Sequence, residues 1–177
     1  MSRHTCYRSI HIPETVRILY RNGEFHLQGP LGRVSLDVAH MDPQAQVAWR
    51  LKDTLDICAA HPRLAGLWAG RFKSLLYGIT RGYSITLLVK GIGYRVRIQK
   101  NTVYFKLGIS HDIVYQVPMG LYVYTPDAST LVLFGVDPAH LNQVAAHIIA
   151  LRPPSAYQTR GIYRQHGVYP LKAGKRK

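Results

Sequence analysis

The chain has 177 residues, 47% of them hydrophobic, which is room for one ordinary domain or two small ones with a substantial core. Its 23 Lys and Arg against nine Asp and Glu give a net charge of +14, a field that draws polyanions of any kind: nucleic acid, an anionic membrane surface or an acidic protein. No apolar run approaches the roughly 20 residues that span a bilayer, and the N-terminus lacks a hydrophobic signal core, so membrane insertion and secretion are not expected. The only cysteines, Cys6 and Cys58, form neither a CxxC pair nor a stapling framework and read as free thiols in a reducing compartment. The first 13 residues are basic and acid-poor like a fragment of an import sequence, but strand-like sequence follows at once, which argues against one.

After Pro13, VRILYRNGEFHLQGPLGRVSLDV reads as a three-stranded antiparallel meander, with turns at Asn22-Gly23 and Pro30-Leu31-Gly32 and alternating Phe25, Leu27, Val34, Leu36 and Val38. Val47, Trp49 and Leu51 indicate a fourth strand. A helix follows, with Leu64, Leu67, Trp68, Phe72, Leu75, Leu76 and Ile79 at helical spacing. The pattern then restarts. Tyr83, Ile85, Leu87 and Val89 alternate, Gly91-Ile92-Gly93 turns the chain, and Tyr94, Val96 and Ile98 lead through Asn101 to Val103, Phe105 and Leu107. Further strands are expected at 113–117, 121–125 and 131–134. A second helix takes Asp137 as N-cap and Pro138 at its first position, aligns Leu141, Val144, Ala145, Ile148 and Ile149, and stops at Pro153-Pro154. NGEFHLQG with VSLDV resembles NTVYFKLG with IVYQV about 79 residues later, which reads as an internal duplication. The expected class is α+β: two tandem similar domains, each a mostly antiparallel sheet with a helix on one face, over residues 1–80 and 81–152.

Residues 153–177 are set apart as a basic extension. From Arg152 onward there are seven Arg and Lys, and no acid follows Asp137. Interrupted by prolines and glycines, this stretch is expected to build no core of its own, to require an anionic partner, and to be mobile from about Pro153 without one. Tyr157, Tyr163 and Tyr169 recur every six residues among the cations, a pattern suited to stacking on exposed bases while Arg and Lys hold phosphates.

Enzymatic signatures are weak. Gly91-Ile92-Gly93 has Val96 where a dinucleotide-binding loop needs its third glycine, and no GxxxxGK[ST] motif exists. Ser110, His111 and Asp112 are adjacent, whereas triad members converge from separate segments; a strand-connecting loop is the simpler reading, with His111 able to face a phosphate. His140 and His147 lack the further ligands of a metal site. No catalytic residue, cofactor or small-molecule substrate is implied.

Several ordered stretches resemble the ribosomal large-subunit protein six family: VKGIGYR (89–95), FKLGISHDIVYQVPMGL (105–121), RPPSAYQTRGIY (152–163) and the terminal KAGKRK. IPETVRI, NGEFHLQGPLG and LAGLWAGRFKSLLYGITRGY agree more loosely in the first domain. The resemblance implies two duplicated α+β domains and a structural role on the large ribosomal subunit. It implies binding to ribosomal RNA near the sarcin-ricin loop and the base of the lateral stalk, beside neighbouring ribosomal proteins and docking translational GTPases. Carried over by position are Pro154, Tyr157, Arg160 and Gly161, with Lys175, Arg176 and Lys177 as further phosphate contacts. Gln158-Thr159-Arg160-Gly161 stands where the family commonly has Lys-Gly-Lys-Gly, which puts the local backbone path in question. The RNA-facing candidates are then Lys90, Arg95, Arg97, His111, Arg152, Tyr157, Arg160, Gly161, Tyr163, Arg164, Lys172, Lys175, Arg176 and Lys177. The competing expectation is a basic adaptor for acidic protein partners of the translation machinery. A mitochondrial matrix or a bacterial cytoplasm is the expected compartment.

Overall fold

The computed structural model describes residues 6–38, 42, 46–52, 54–59 and 61–174. The candidates Lys175, Arg176 and Lys177 lie outside the described residues. The chain forms two compact units, residues 1–82 and 83–177.

The first unit runs β1 (Cys6–His11), β2 (Arg17–Arg21), β3 (Glu24–Gly29), β4 (Gly32–Asp37), β5 (Val47–Leu51), β6 (Thr54–Ala59) and α1 (Pro62–Thr80). Two antiparallel sheets result, ordered β2-β3-β4 and β1-β6-β5. The expected meander is β2 to β4. Asn22 and Gly23, with φ of 51° and 82°, supply the two left-handed residues that a type I′ hairpin turn requires. The single strand expected before the helix is corrected to the hairpin β5–β6, extended by β1, a strand ahead of Pro13 that the sequence pattern did not indicate. Alternation failed to reveal β6 because Leu55, Asp56 and Ile57 are all buried. Phe25 and Leu27 from β3, Leu55 and Ile57 from β6, and Trp68, Phe72, Leu75 and Ile79 from α1 make the core. The Phe72 ring lies 5.0 Å from Phe25 and 5.5 Å from Trp49, both edge-on. Leu67, assigned by spacing to the apolar helix face, is exposed. Arg81 and Gly82 both donate to the Tyr77 carbonyl, and Gly82 at φ 78° closes the helix in the left-handed region.

The second unit runs β7 (Tyr83–Lys90), β8 (Arg95–Gln99), β9 (Thr102–Lys106), β10 (Ile113–Gln116), β11 (Leu121–Tyr124), β12 (Thr130–Gly135), α2 (Pro138–Leu151) and β13 (Gly161–Arg164). The Asp137 side chain caps α2 by accepting from the Ala139 amide at 3.0 Å, and Pro138 occupies the first turn. The sheets are β10-β9-β8 and β11-β12-β7-β13. Apart from β13 the order is that of the first unit: β7, β12 and β11 stand where β1, β6 and β5 stand, and β8, β9 and β10 where β2, β3 and β4 stand. The internal repeat is thus a repeat of topology, and the α+β class holds.

Pairing also sharpens the repeat's alignment. Arg17 opposes Gln28 and Arg95 opposes Lys106, so the β2–β3 hairpin maps onto β8–β9 with a shift of 78 residues. That shift puts buried Phe25 and Leu27 onto buried Val103 and Phe105. A shift of 79 would put Leu27 onto exposed Lys106, because one residue of slip turns every side chain to the other face. The third strands do map at 79, Val34 onto Ile113 and Leu36 onto Tyr115, since the β9–β10 connection is one residue longer.

The segment expected to lack anything to pack within is corrected by β13. Gly161–Arg164 pairs antiparallel with Leu87–Lys90, and Ile162 is fully buried in the same core cluster as Leu141, Val144 and Ile148 of α2. Around it, the Ile162 amide donates to Arg152, Ser155 to Arg160, Gln165 to Thr86 and Lys172 to Ala156. The prolines and glycines that argued against a strand bound it instead.

Candidate nucleic-acid interface

The turn Gly91–Tyr94 joins two groups of cations. It is closed by the Tyr94 amide donating to the Gly91 carbonyl at 3.2 Å, and Gly93 takes φ 74°. It is a β-turn between strands, as the sequence indicates, and its tip, Ile92, is 86% exposed. Lys90 ends the strand before it and Arg95 begins the strand after it.

On the β8–β9 side, Arg95 and Arg97 are exposed on one face, with Lys106 directly opposite Arg95 and Tyr104 opposite Arg97. Like charges placed directly opposite in a sheet repel and favour an anion between them. Lys106 was missing from the sequence-derived candidates. The parity of β9, with Val103 and Phe105 inward, was the signal that could have found it.

On the β7–β13 side, Lys90, Gly161, Tyr163 and Arg164 come together. The Lys90 ammonium lies 5.3 Å from the Tyr163 ring centroid, in the range of a cation–π contact. The ring of Tyr169 meets Tyr163 edge-on at 5.0 Å, and its hydroxyl accepts from the Arg164 amide at 3.0 Å. Tyr163 is 8% exposed. Its ring belongs to the fold, which corrects the expectation that it stacks freely on bases. Tyr157, 65% exposed, does present its ring, on a turn where Ser155 Oγ accepts from the amides of Tyr157 and Gln158. Gly161 is buried at φ 133°, and a Cβ there would lie 2.7 Å from the Pro153 carbonyl oxygen, so the backbone packing requires glycine at this position. Arg152, Arg160, Arg164 and Lys172 are exposed and make no salt bridge among the described residues. His111 is exposed in the β9–β10 connection beside Ser110 and Asp112, and pairing brings it to neither group.

Among the described residues no cluster of His, Cys, Asp or Glu could hold a metal ion, and no helix is long and apolar enough to cross a membrane. Cys6 and Cys58 are free.

The repeated set of small antiparallel sheets with a single helix, and the exposed cations grouped in its second copy, define a basic α+β protein built from two similar units. Comparison with known proteins makes this specific. The family described as Ribosomal protein L6 matches residues 90–165. The chain is 33% identical over 178 residues to "Large ribosomal subunit protein uL6" of Erythrobacter litoralis, covering 96% of this chain and 97% of that one. It is 31% identical to the protein of the same name from Thermotoga petrophila, with 96% of each chain covered. For that of Thermus thermophilus the identity is 33%, over 94% of this chain and 93% of the relative. The chain therefore belongs to the ribosomal protein L6 family, whose members are structural parts of the large ribosomal subunit, among its RNA and proteins.

Proposed function

We propose that this protein binds large-subunit ribosomal RNA mainly through its second unit, near the sarcin-ricin loop and the stalk base, where translational GTPases dock. The particle is taken to be of bacterial type, as in the relatives above, in a bacterial cytoplasm or a mitochondrial matrix. The observation that carries the reading is the pair of cation groups flanking the Gly91–Tyr94 turn, with Arg95 set against Lys106 and no carboxylate bridged to either among the described residues. RNA folding crowds phosphates, and cations held on a sheet offset that repulsion while fixing geometry. Lys90, Arg152, Arg160, Arg164 and Lys172 add phosphate contacts, and Tyr157 supplies an exposed ring for stacking.

The test is a salt series on the purified protein with its RNA fragment. Log affinity should fall linearly with log salt, by roughly 0.7 to 0.9 per phosphate contact. The triple substitution Arg95→Ala, Arg97→Ala, Lys106→Ala should reduce that slope by about 2 to 3 if each cation holds one phosphate. An unchanged slope removes this face from the interface. Deletion from Arg152 is a poor substitute, because it withdraws Ile162 from the core along with the charges.

A further inference from the structure

We infer that the outer edge of β1 in the first unit docks an extended, acidic segment of a neighbouring protein of the large subunit, added as a further strand beside β6-bound β1. The molecule contains its own template. In the second unit the edge of β7 is occupied by β13, whereas among the described residues no strand pairs with the corresponding edge of β1. Matching β6 to β12, residue Thr54 to Thr130, places Ile10 and His11 where Leu87 and Leu88 receive Arg164 and Tyr163.

The edge has unused hydrogen-bonding capacity. Thr54 directs its backbone towards β5, its carbonyl accepting from the Lys52 amide at 3.0 Å, so the pair Thr54–His11 is a non-hydrogen-bonded one. His11, and by alternation Ser9 and Tyr7, therefore turn their N–H and C=O groups to the open side. In the twin, Thr86 at the place of Ser9 accepts from Gln165 at 3.0 Å. Beside the edge lies a groove of about 440 Å³ between β1 and α1, with Ile10 and Leu76 as an apolar floor and His11, Lys73 and Tyr77 around it. In the second unit the strand on the corresponding edge, β13, contributes the fully buried Ile162 to the core. The groove's lining includes a fixed cation, Lys73, and no carboxylate. The occupant that fits is an extended peptide with one aliphatic side chain for the floor and a carboxylate for Lys73. RNA fits less well, because phosphates offer acceptors only and a strand edge alternates donors with acceptors.

The experiment uses intact large subunits. Carbodiimide treatment, which joins amines to carboxylates in contact, should link Lys73 to an Asp or Glu of another protein. The Ser9 and His11 amides should exchange with solvent slowly in the subunit and rapidly in the free chain. A Lys73 left unlinked, equal exchange in both states, or ultraviolet cross-linking of β1 to RNA would each overturn the proposal. In a second arm, His11→Pro removes one outward N–H at a site where an edge strand tolerates proline. That variant should keep its circular dichroism, enter subunits and lose the Lys73 link; retention of the link at full yield also overturns the proposal. If the variant does not fold, the exchange measurement on the unmodified chain still decides. These readouts concern the first unit alone, so they and the salt series can fail independently.

Discussion

Gly161 shows how one residue decides whether the basic C-terminal stretch is part of the domain. Its φ of 133° lies where L side chains rarely go, and an added Cβ would meet the backbone of the Pro153–Pro154 peptide, the Pro153 oxygen at 2.7 Å and the Pro154 Cα at 2.9 Å. Neither contact can be relieved by rotating a side chain. Gly161→Ala should therefore cost about 1 to 3 kcal/mol in backbone strain alone, with the clash in addition. The expected consequence is a weakened β13: lower stability of the second unit in denaturant, and faster exchange of the amides of Ile162 and Gln165, which donate to Arg152 and Thr86. Wild-type exchange at both amides would show that the crossing of 161 over 153–154 does not hold the strand. The family resemblance marked Gly161 as an RNA element; the geometry gives a folding reason for glycine there, while Arg160 and Arg164 on either side carry the charge.

Strands in the first unit are tied together on their outer face by a carboxylate that periodicity could not assign. Asp56 on β6 is 9% exposed and opposes Ser9 on β1. It accepts hydrogen bonds from Tyr7 and Ser9, and from the Thr54 hydroxyl at 3.2 Å, with Arg50 of β5 nearby. The Tyr7 bond, then the Ser9 bond, hold its pKa below the usual carboxylate value, and the same partnership raises that of Tyr7. A carboxylate with a depressed folded-state pKa binds fewer protons in the folded than in the unfolded chain. Its contribution is complete above the unfolded value of about 3.9 and is lost as the pH falls through the lower folded value. Asp56→Asn should thus be less stable than wild type at pH 7, the gap closing in acid, as denaturant titrations at both ends of the range would show. A gap that persists undiminished in acid would exclude ionisation as its source. Much of the element order was legible, because β2–β5, β7–β11, α1 and α2 show period two or helical spacing, and β12 is an uninterrupted apolar run, Leu131 to Phe134. Three strands were obscured for local reasons: β1 buries only Ile10, β6 buries three consecutive residues with the charged Asp56 in the middle, and β13 is a four-residue strand whose only fully buried aliphatic is Ile162. The candidate site was legible as composition, in the exposed cations Lys90, Arg95 and Arg97, but the place of Lys106 opposite Arg95 and the packing of Tyr163 depend on cross-strand partners that no single segment contains.

At the scale of the molecule, duplication provides an internal control for the electrostatic argument. The same outer face occurs twice, on β2-β3-β4 and on β8-β9-β10, with corresponding residues in corresponding pairs. Arg17 opposite Gln28 becomes Arg95 opposite Lys106, Leu19 opposite His26 becomes Arg97 opposite Tyr104, and Arg21 opposite Glu24 becomes Gln99 opposite Thr102. Asp37 opposite Glu24 becomes Gln116 opposite Thr102. The first face thus mixes Arg17, Arg21 and Arg33 with two carboxylates, whereas the paired stretches of the second contain three cations and none. The same division holds for the units, since residues 83–177 carry twelve Arg and Lys against three acids and residues 1–82 eleven against six. A shared strand order with unequal charge supports, on chemical grounds, the proposal that polyanion binding falls to the second copy. Removing three arginines from the first face, with Arg17→Ala, Arg21→Ala and Arg33→Ala, should leave the salt slope for RNA almost unchanged, whereas Arg95→Ala, Arg97→Ala, Lys106→Ala should lower it by about 2 to 3. Both triples remove the same net charge, so a general field effect would shift them equally. Equal shifts would place RNA attraction in the net charge of the chain rather than in the second sheet.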